Sequence, residues 1–227
     1  MSKTTFDFNE GEVLLIDKPY QWTSFDVVKK LKFALKIKKI GHAGTLDPLA
    51  TGLLIMCTGK LTKKIDGFQQ QEKEYEGVLV LGKTTPSIDL ETSFDSETDI
   101  SHLTETDVIE ATEKFKGEIS QIPPQHSAIK VGGERVYKKA RKGIPVQIKA
   151  RNVEIKAFVI TKIQFPEVHF KIICSKGTYI RSLVRDLGNE LNTGAYLKAL
   201  TRTRIGDYSL NNAFQLNDLI ENFSKKQ

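Results

Sequence analysis

The segment Gly41–Gly52, with the sequence GHAGTLDPLATG, constrains this chain more than any other part of it. Three glycines and a proline within twelve residues favour a shaped loop over the interior of a helix or strand. Pro48 biases the preceding Asp47 away from the helical region, so the direction of its carboxylate is constrained. The apolar run Leu53–Cys57 follows and predicts a buried strand or the start of a helix. Such a loop suits a catalytic group, and it equally suits an Asp that only bonds its own turn.

Charge and cysteine content limit the class of protein. The chain has 227 residues, enough to bury a substantial core, and 34 basic against 28 acidic side chains give a net charge of +6. This balance favours a polyanionic partner. Cys57 and Cys174 lie in apolar runs without zinc-site spacing, so we expect buried free thiols and no metal. Without a signal pattern or a long apolar run, the sequence predicts a cytoplasmic protein with no membrane segment.

Basic and acidic residues occupy different parts of the chain. Six lysines lie between residues 29 and 39, and no acidic residue occurs from Val27 to Leu46. This cluster is either a solvated helix face or a phosphate-binding surface. Residues 89–113 instead hold nine acids and no lysine or arginine. We expect this acidic surface insertion, at about residues 89–117, to face away from an anionic partner.

Periodicity and capping residues predict the main helices and strands. The expected strands are Glu12–Asp17, Val78–Leu81, Val153–Ile163 and Val168–Cys174, the last two as an antiparallel pair. The expected helices are Phe25–Lys36 capped by Thr23 or Ser24, Thr104–Lys116, Glu134–Lys142, a helix from Ile180 to about Leu191, Gly194–Thr201, and Phe214–Phe223.

Beyond the Asp47 loop, the chain carries four segments with distinctive residue patterns. They are KPYQWTS at 18–24, IPPQHSAIKVGGERVYKKARKG at 122–143, SKGTYIRSL at 175–183 and LTRTRIG at 200–206. Together with the loop they resemble, in the same order, the motifs of the bacterial tRNA pseudouridine-55 synthase family of the TruB type. Gln21 stands where that family usually has glycine, and His126 stands where it usually has tyrosine.

The resemblance covers roughly Glu12–Gly206 and implies an α+β fold. It implies a central mixed, mostly antiparallel sheet flanked by helices, with an RNA-binding cleft. It further implies a single catalytic domain over residues 1–227 without the C-terminal PUA domain of larger members, because few residues follow Gly206.

The activity implied by the resemblance is the isomerisation of uridine 55 in the T loop of tRNA to pseudouridine. The N1–C1′ bond of a flipped-out uridine breaks, and the uracil turns and rejoins the sugar through C5. Because this reaction involves no redox change or group transfer, it implies no cofactor. The implied partner is the T stem-loop of tRNA, and we expect a monomer with no obligate protein partner.

The resemblance also implies roles for individual residues. Asp47 would be the nucleophile, Tyr75 would stack on the flipped uracil, and Arg181 would pair with Asp47 and keep it ionised. The implied substrate-binding residues are His42, Tyr179, Leu200, Asp89, Lys18, Lys63, Lys130, Lys176 and Arg202.

Three other functions remain open at the level of sequence. The chain could be an RNA-binding or tRNA-folding module in which catalysis is lost or secondary. It could be a guide-dependent rRNA synthase of the same superfamily, although that type depends on partner proteins and a PUA domain. A glycoside hydrolase would need a second positioned carboxylate, and no motif here supplies a matched partner for Asp47.

Overall fold

The computed structural model describes residues 6–127 and 129–224. The strands, in chain order, are β1 Val13–Lys18, β2 Ile40–Ala43, β3 Ala50–Thr58, β4 Lys73–Leu81, β5 Lys83–Thr84, β6 Ser96–Glu97, β7 Gly117–Gln121, β8 Lys130–Val131, β9 Glu134–Arg135, β10 Arg151–Gln164, β11 Glu167–Cys174, β12 Ala195–Ile205, β13 Tyr208–Ser209 and β14 Phe214–Gln215. The helices are α1 Ser24–Ala34, α2 Ile65–Gln70, α3 Glu105–Glu113, α4 Val136–Ala140, α5 Ile180–Glu190 and α6 Leu216–Ser224. Short 3₁₀ helices cover Gly59–Lys64 and Leu210–Asn212.

The chain divides into two compact units. The first contains Met1–Tyr75 together with Leu200–Gln227, and the second contains Glu76–Ala199. In the first unit the sheet order is β14–β1–β3–β12, with β2 also paired to β3 and β13 to β12. β1 and β2 run antiparallel to β3, whereas β12 runs parallel to β3 and β14 parallel to β1. The described part of the chain is therefore α+β with mixed strand pairing, as predicted.

Strand β3 forms the centre of the first unit because both of its faces are buried. Leu54 and Met56 pack into a cluster with β1, α1 and α6. Leu53, Ile55 and Cys57 pack into a second cluster with α2. This two-sided burial explains the unbroken apolar run and confirms the prediction of a buried strand. Cys57 is a free thiol, and burial raises its pKa to about 11.

Helix α1 lies on the first of these clusters, as its sequence predicts. Thr23 is the N-cap: its hydroxyl accepts a hydrogen bond from the backbone N–H of Asp26, and the Asp26 carboxylate accepts one from the backbone N–H of Thr23. The apolar stripe of Val28, Leu31 and Leu35 is buried. The opposite side of the helix carries the lysines.

The second unit contains the strand order β4–β11–β10–β7. β10 and β11 form the predicted antiparallel pair, and β7 runs antiparallel to the start of β10 with Gln121 opposite Arg151. Helix α3 begins after its N-cap Thr104 and packs against β10. Cys174 at the end of β11 is a buried free thiol, as predicted. None of the helices that the structure describes has both the length and the apolar character needed to cross a membrane.

Two predicted helices are wrong. A helix was expected over residues 194–201, but residues 195–201 form the start of strand β12. Leu197 bonds the backbone of Ile88, and Leu200 pairs with Ala50, so pairing with distant segments overrides local helix propensity. The helix expected over Glu134–Lys142 is reduced to α4, because β8 and β9 pair as a short hairpin before it. At the C-terminus, a strand over Phe214–Gln215 precedes the predicted helix.

Candidate active site

The Asp47 loop is the turn of a β-hairpin. Residues 41–43 and 50–52 of the segment belong to β2 and β3, so the loop itself is shorter than the sequence indicates. The backbone N–H of Ala50 donates to the carbonyl of Asp47 over 3.1 Å, which closes a four-residue turn. Asp47 and Pro48 occupy its first and second positions, where Asp and Pro are favoured. The half-buried Asp47 is thereby held at the tip of a hairpin whose second strand is the most buried strand of the unit.

Two residues from the segment 18–24 hold this turn from one side. The ammonium of Lys18 donates to the carbonyl oxygens of Pro19 at 2.8 Å, Trp22 at 2.6 Å and Pro48 at 3.3 Å. The hydroxyl of Ser24 accepts a bond from the N–H of Leu46 at 2.9 Å and donates to its carbonyl at 3.3 Å. The residues immediately before and after Asp47 are therefore both anchored.

Arg202 holds the loop from the other side. Its Nε donates to the carbonyl of Leu53 at 2.8 Å, and its Nη2 donates to the carbonyl of Gly44 at 3.1 Å. One planar guanidinium thus ties together both ends of the hairpin loop. A side chain at Gly52, whose φ is +99°, would collide with the backbone of Arg202, so this close approach requires glycine.

Lys18 and Arg202, both predicted to bind the substrate, are buried in the structure. Lys18 is 0% exposed and Arg202 is 1% exposed, and their donors are directed at backbone carbonyls of the loop. They therefore position the Asp47 loop, and direct contact of either residue with the substrate stays a prediction.

The electrostatics around the loop follow from this burial. The pKa of Lys18 is lowered from 10.5 to about 8. Burial is the largest cause; the charge of Asp47 opposes this lowering, and the charge of Arg202 adds to it. Burial likewise lowers the pKa of His42 on β2, and Arg202 lowers it further. The imidazole of His42 is therefore neutral at physiological pH, which suits ring stacking.

The lowered pKa of Lys18 predicts how stability depends on pH. Between about pH 8 and 10.5 the unfolded chain binds a proton at Lys18 that the folded chain has released, so raising the pH stabilises the folded state. Wild type should gain stability over the variant Lys18→Met by up to about 1.4 kcal/mol per pH unit across this window. Urea denaturation at pH 7, 8, 9 and 10 measures the difference. Lys63→Met, at an exposed lysine, is the control, and a Lys18→Met difference that does not change with pH would contradict the assignment.

In the second unit the structure brings together Arg181 and Asp89. Arg181 is 3% exposed; its Nη1 donates to the carbonyl of Ser87 and its Nη2 to the carbonyl of His126, each at 2.8 Å. Its Nη1 also lies 3.6 Å from a carboxylate oxygen of Asp89. The guanidinium at the start of α5 is therefore fixed in direction by three groups from two other segments. His126 contributes its backbone carbonyl, which tyrosine would equally supply.

Tyr179 is held by two residues that the sequence does not single out. Gln121 is fully buried; its amide donates to the carbonyl of Tyr179 at 3.1 Å and accepts from the N–H of Tyr179 at 2.8 Å. Arg151, opposite Gln121 on β10, places its guanidinium 4.4 Å from the centre of the Tyr179 ring. The alternation of inward-facing and outward-facing side chains along β7 could have identified Gln121 from the sequence, because it puts Gln121 on the same inward side as Ile119.

Removing the Gln121 amide should destabilise the second unit. In Gln121→Leu the N–H of Tyr179 loses its bond to the Gln121 amide oxygen, whereas the carbonyl of Tyr179 keeps the bond from the N–H of Leu183, so we expect a loss of about 1–3 kcal/mol in the free energy of unfolding. Denaturant unfolding measures it. Gln125→Leu is the matched control, since Gln125 makes the same pair of bonds to the backbone of Val146 at a half-buried position where water can substitute. Equal effects of the two substitutions would contradict the argument.

The other predicted site residues fall into three groups. Tyr75 on β4 and Leu200 on β12 are buried, at 8% and 9% exposure. Lys63 and Lys176 are exposed on a 3₁₀ helix and on the loop before α5. The side chain of Lys130 lies outside the described part of the chain. Asp47 and Arg181 belong to different units, and the predicted pairing between them stays a prediction. Among the described residues, no cluster of His, Cys, Asp and Glu has an arrangement that could hold a metal ion.

Comparison with known proteins identifies the family. The family model described as TruB family pseudouridylate synthase (N terminal domain) matches residues 32–180, and that of the tRNA pseudouridylate synthase B C-terminal domain matches residues 181–227. The chain is 51% identical over 220 residues to the tRNA pseudouridine synthase B of Flavobacterium johnsoniae, covering 94% of this chain and 96% of that protein. It is 49% identical to the protein of the same name from Phocaeicola vulgatus, covering 95% of this chain and 94% of that one.

Solved structures give the same result for the fold. A chain in a structure of a Cbf5-Nop10-Gar1 complex matches with a TM-score of 0.74 and 29% identity, over 96% of this chain. A second, in an H/ACA RNP bound to a substrate RNA containing 2′-deoxyuridine, matches with a TM-score of 0.71 and 26% identity over 96% of this chain. This chain spans 59% and 58% of their respective lengths. On the family models and the close relatives together, the chain belongs to the TruB family of pseudouridylate synthases.

Proposed function

We propose that this protein converts uridine 55 in the T loop of tRNA to pseudouridine, with Asp47 as the nucleophile. The observation that carries the proposal is the single half-buried carboxylate on a hairpin turn that Lys18 and Arg202 hold in place. The close relatives named tRNA pseudouridine synthase B support the choice of tRNA as the substrate.

A carboxylate suits the two bond changes of this reaction. It can add to an electrophilic carbon or stabilise positive charge at C1′ while the N1–C1′ bond breaks. The uracil then turns and C5 bonds to C1′; C5 loses its proton and N1 gains one, so the product is an isomer of the substrate. No electrons are exchanged with a second molecule, and the proposed reaction uses no cofactor.

The remaining residues take roles around this nucleophile. We propose that Tyr75 stacks on the target uracil, that Arg181 supports the charge of Asp47, and that Asp89 positions Arg181. His42 would replace or displace the flipped base by stacking as a neutral ring. Extruding the base costs a few kcal/mol, to be recovered by such contacts.

The proposal includes the form in which the protein acts. It would work as a single catalytic domain and as a monomer in the cytoplasm, on the T stem-loop of tRNA and without an obligate protein partner. If activity required a second protein, this part of the proposal would be wrong. The protein would then act more like the multi-protein assembly named in the Cbf5-Nop10-Gar1 structure.

The test is nucleoside analysis of an unmodified tRNA transcript incubated with the purified protein and no additive. We expect one pseudouridine per tRNA, at position 55. Tight, salt-sensitive binding of tRNA without pseudouridine would instead support an RNA-binding or tRNA-folding module. Pseudouridine at other positions would keep the chemistry and overturn the proposed target.

A further inference from the structure

An open pocket of about 410 Å³ lies beside α1 in the first unit. Its lining residues are Gln21, Trp22, Asp26, Lys29, Lys30 and Phe33. The last four are spaced i, i+3, i+4 and i+7, so they share one face of the helix. That face is the one opposite the buried stripe of α1, and Phe33 on it is 75% exposed. The pocket therefore presents an aromatic wall to solvent, which the core of the unit does not explain.

The second wall of the pocket is the turn that precedes α1. Gln21 adopts the left-handed conformation with a φ of 65°, so this position keeps a backbone geometry that glycine prefers. The N–H of Trp22 bonds the carbonyl of Pro19 at 3.4 Å and closes the turn. The indole is partly buried against the core cluster, which fixes one edge of the pocket.

This turn is bonded directly to the Asp47 loop. The ammonium of Lys18 donates both to the carbonyl of Trp22, at 2.6 Å, and to the carbonyl of Pro48, at 3.3 Å. The turn that lines the pocket and the loop that carries Asp47 are thus both hydrogen-bonded to the buried ammonium of Lys18. A strand of RNA with one nucleotide at Asp47 could place another nucleotide in the pocket.

The side chains of the pocket favour a nucleotide over an apolar ligand. Two lysines and one aspartate give the lining a net charge of +1. The Asp26 carboxylate already accepts two bonds from Thr23, from its N–H at 2.9 Å and its hydroxyl at 2.5 Å, so its charge is engaged in capping the helix. Lysines beside open aromatic rings are the combination that binds single-stranded nucleic acid, with bases stacked on the rings and phosphates on the cations.

We propose that this pocket binds an unpaired nucleotide of the RNA substrate. The base stacks against Trp22 and Phe33, and the flanking phosphates contact Lys29 and Lys30. The inference rests on the proposed function for the identity of the RNA, and on the pocket alone for nucleotide binding. It adds a second base contact on the unit that carries Asp47.

Trp22 is the single tryptophan of the chain, so its fluorescence reports on the pocket directly. Titration of wild type with UMP, with AMP and with unmodified tRNA transcript should quench it saturably, after correction with free N-acetyltryptophanamide. In Phe33→Ser the affinity for tRNA should fall about fivefold or more, and KM should rise with little change in kcat. Lys29→Gln should reduce the salt dependence of binding.

The matched control is Phe25→Ser. Phe25 is on the same helix and 67% exposed, yet it does not line the pocket, so its replacement should leave binding and KM at the wild-type values. Equal effects of the two serine variants, or no quenching of Trp22 by any nucleotide, would overturn the proposal and leave the pocket as a protein-docking face. Pseudouridine formation that persists in that case would keep the proposed function. If UMP and tRNA quench Trp22 in a protein that forms no pseudouridine, nucleotide binding by the pocket is supported and the proposed function is wrong.

Discussion

Replacing Asp47 by asparagine should abolish pseudouridine formation, with a loss in kcat of at least about 10³-fold. The amide is the same size as the carboxylate and keeps the turn, but it is neither a nucleophile nor a negative charge. The Ala50–Asp47 bond uses the backbone carbonyl, and Lys18, Ser24 and Arg202 bond the backbone of neighbouring residues, so the loop should persist. Affinity for tRNA should therefore stay within about threefold of wild type, since the contacts to the loop backbone remain.

The measurement combines single-turnover nucleoside analysis with a tRNA binding isotherm. Asp66→Asn is the control, because Asp66 is an exposed aspartate in the same unit, in the first turn of α2. Substantial pseudouridine formation by Asp47→Asn would exclude Asp47 as the nucleophile. Loss of both binding and catalysis would point instead to a disrupted loop, which a lowered unfolding midpoint would reveal.

Arg181→Lys should be the second most damaging substitution, although it conserves the charge. The guanidinium of Arg181 donates to two carbonyls through different nitrogens and faces Asp89, and it is buried. A lysine ammonium is a point charge on a shorter stem and cannot span these groups. We expect a fall in kcat of about 10²-fold or more and a loss of about 2–4 kcal/mol in the free energy of unfolding, because Asp89 is left with a poorly placed partner.

Arg185→Lys is the matched control one helical turn away. Arg185 is half-buried; it bonds the carbonyl of Ile122 at 3.0 Å and the adjacent Asp186, and solvent can replace these contacts. We expect kcat within about twofold of wild type and less than about 1 kcal/mol of destabilisation. A wild-type kcat in Arg181→Lys, with normal stability, would show that Arg181 has no part in the reaction.

The local features of the candidate site were predictable from nearby residues. Proline after aspartate, with glycines on both sides, predicts the turn that carries Asp47, and Thr23 before an apolar stripe predicts the start of α1. The buried strand β3 follows from its apolar run in the same way. These predictions succeed because turns, caps and amphipathic faces depend on residues within a few positions of one another.

The groups that hold the site together were not predictable in that way. Lys18 and Arg202 were expected to bind the substrate, and their burial and their bonds to carbonyls of the Asp47 loop were not anticipated. The strand over residues 195–205 was expected to begin as a helix, and the bonds of Gln121 to Tyr179 were not anticipated. In each case the decisive partner lies far along the chain.

The family, the candidate nucleophile and the local shape of its loop could be inferred from the amino-acid sequence. The folded structure was needed to show which cations are buried against that loop and which are exposed. The bonded partners lie far apart in the chain: the bond from Arg202 to Leu53 joins residues 149 positions apart, and that from Gln121 to Tyr179 joins residues 58 apart. The amino-acid sequence does not distinguish a charged side chain at the surface from one in the core. A charged side chain can be buried only where distant backbone carbonyls replace the water that it loses.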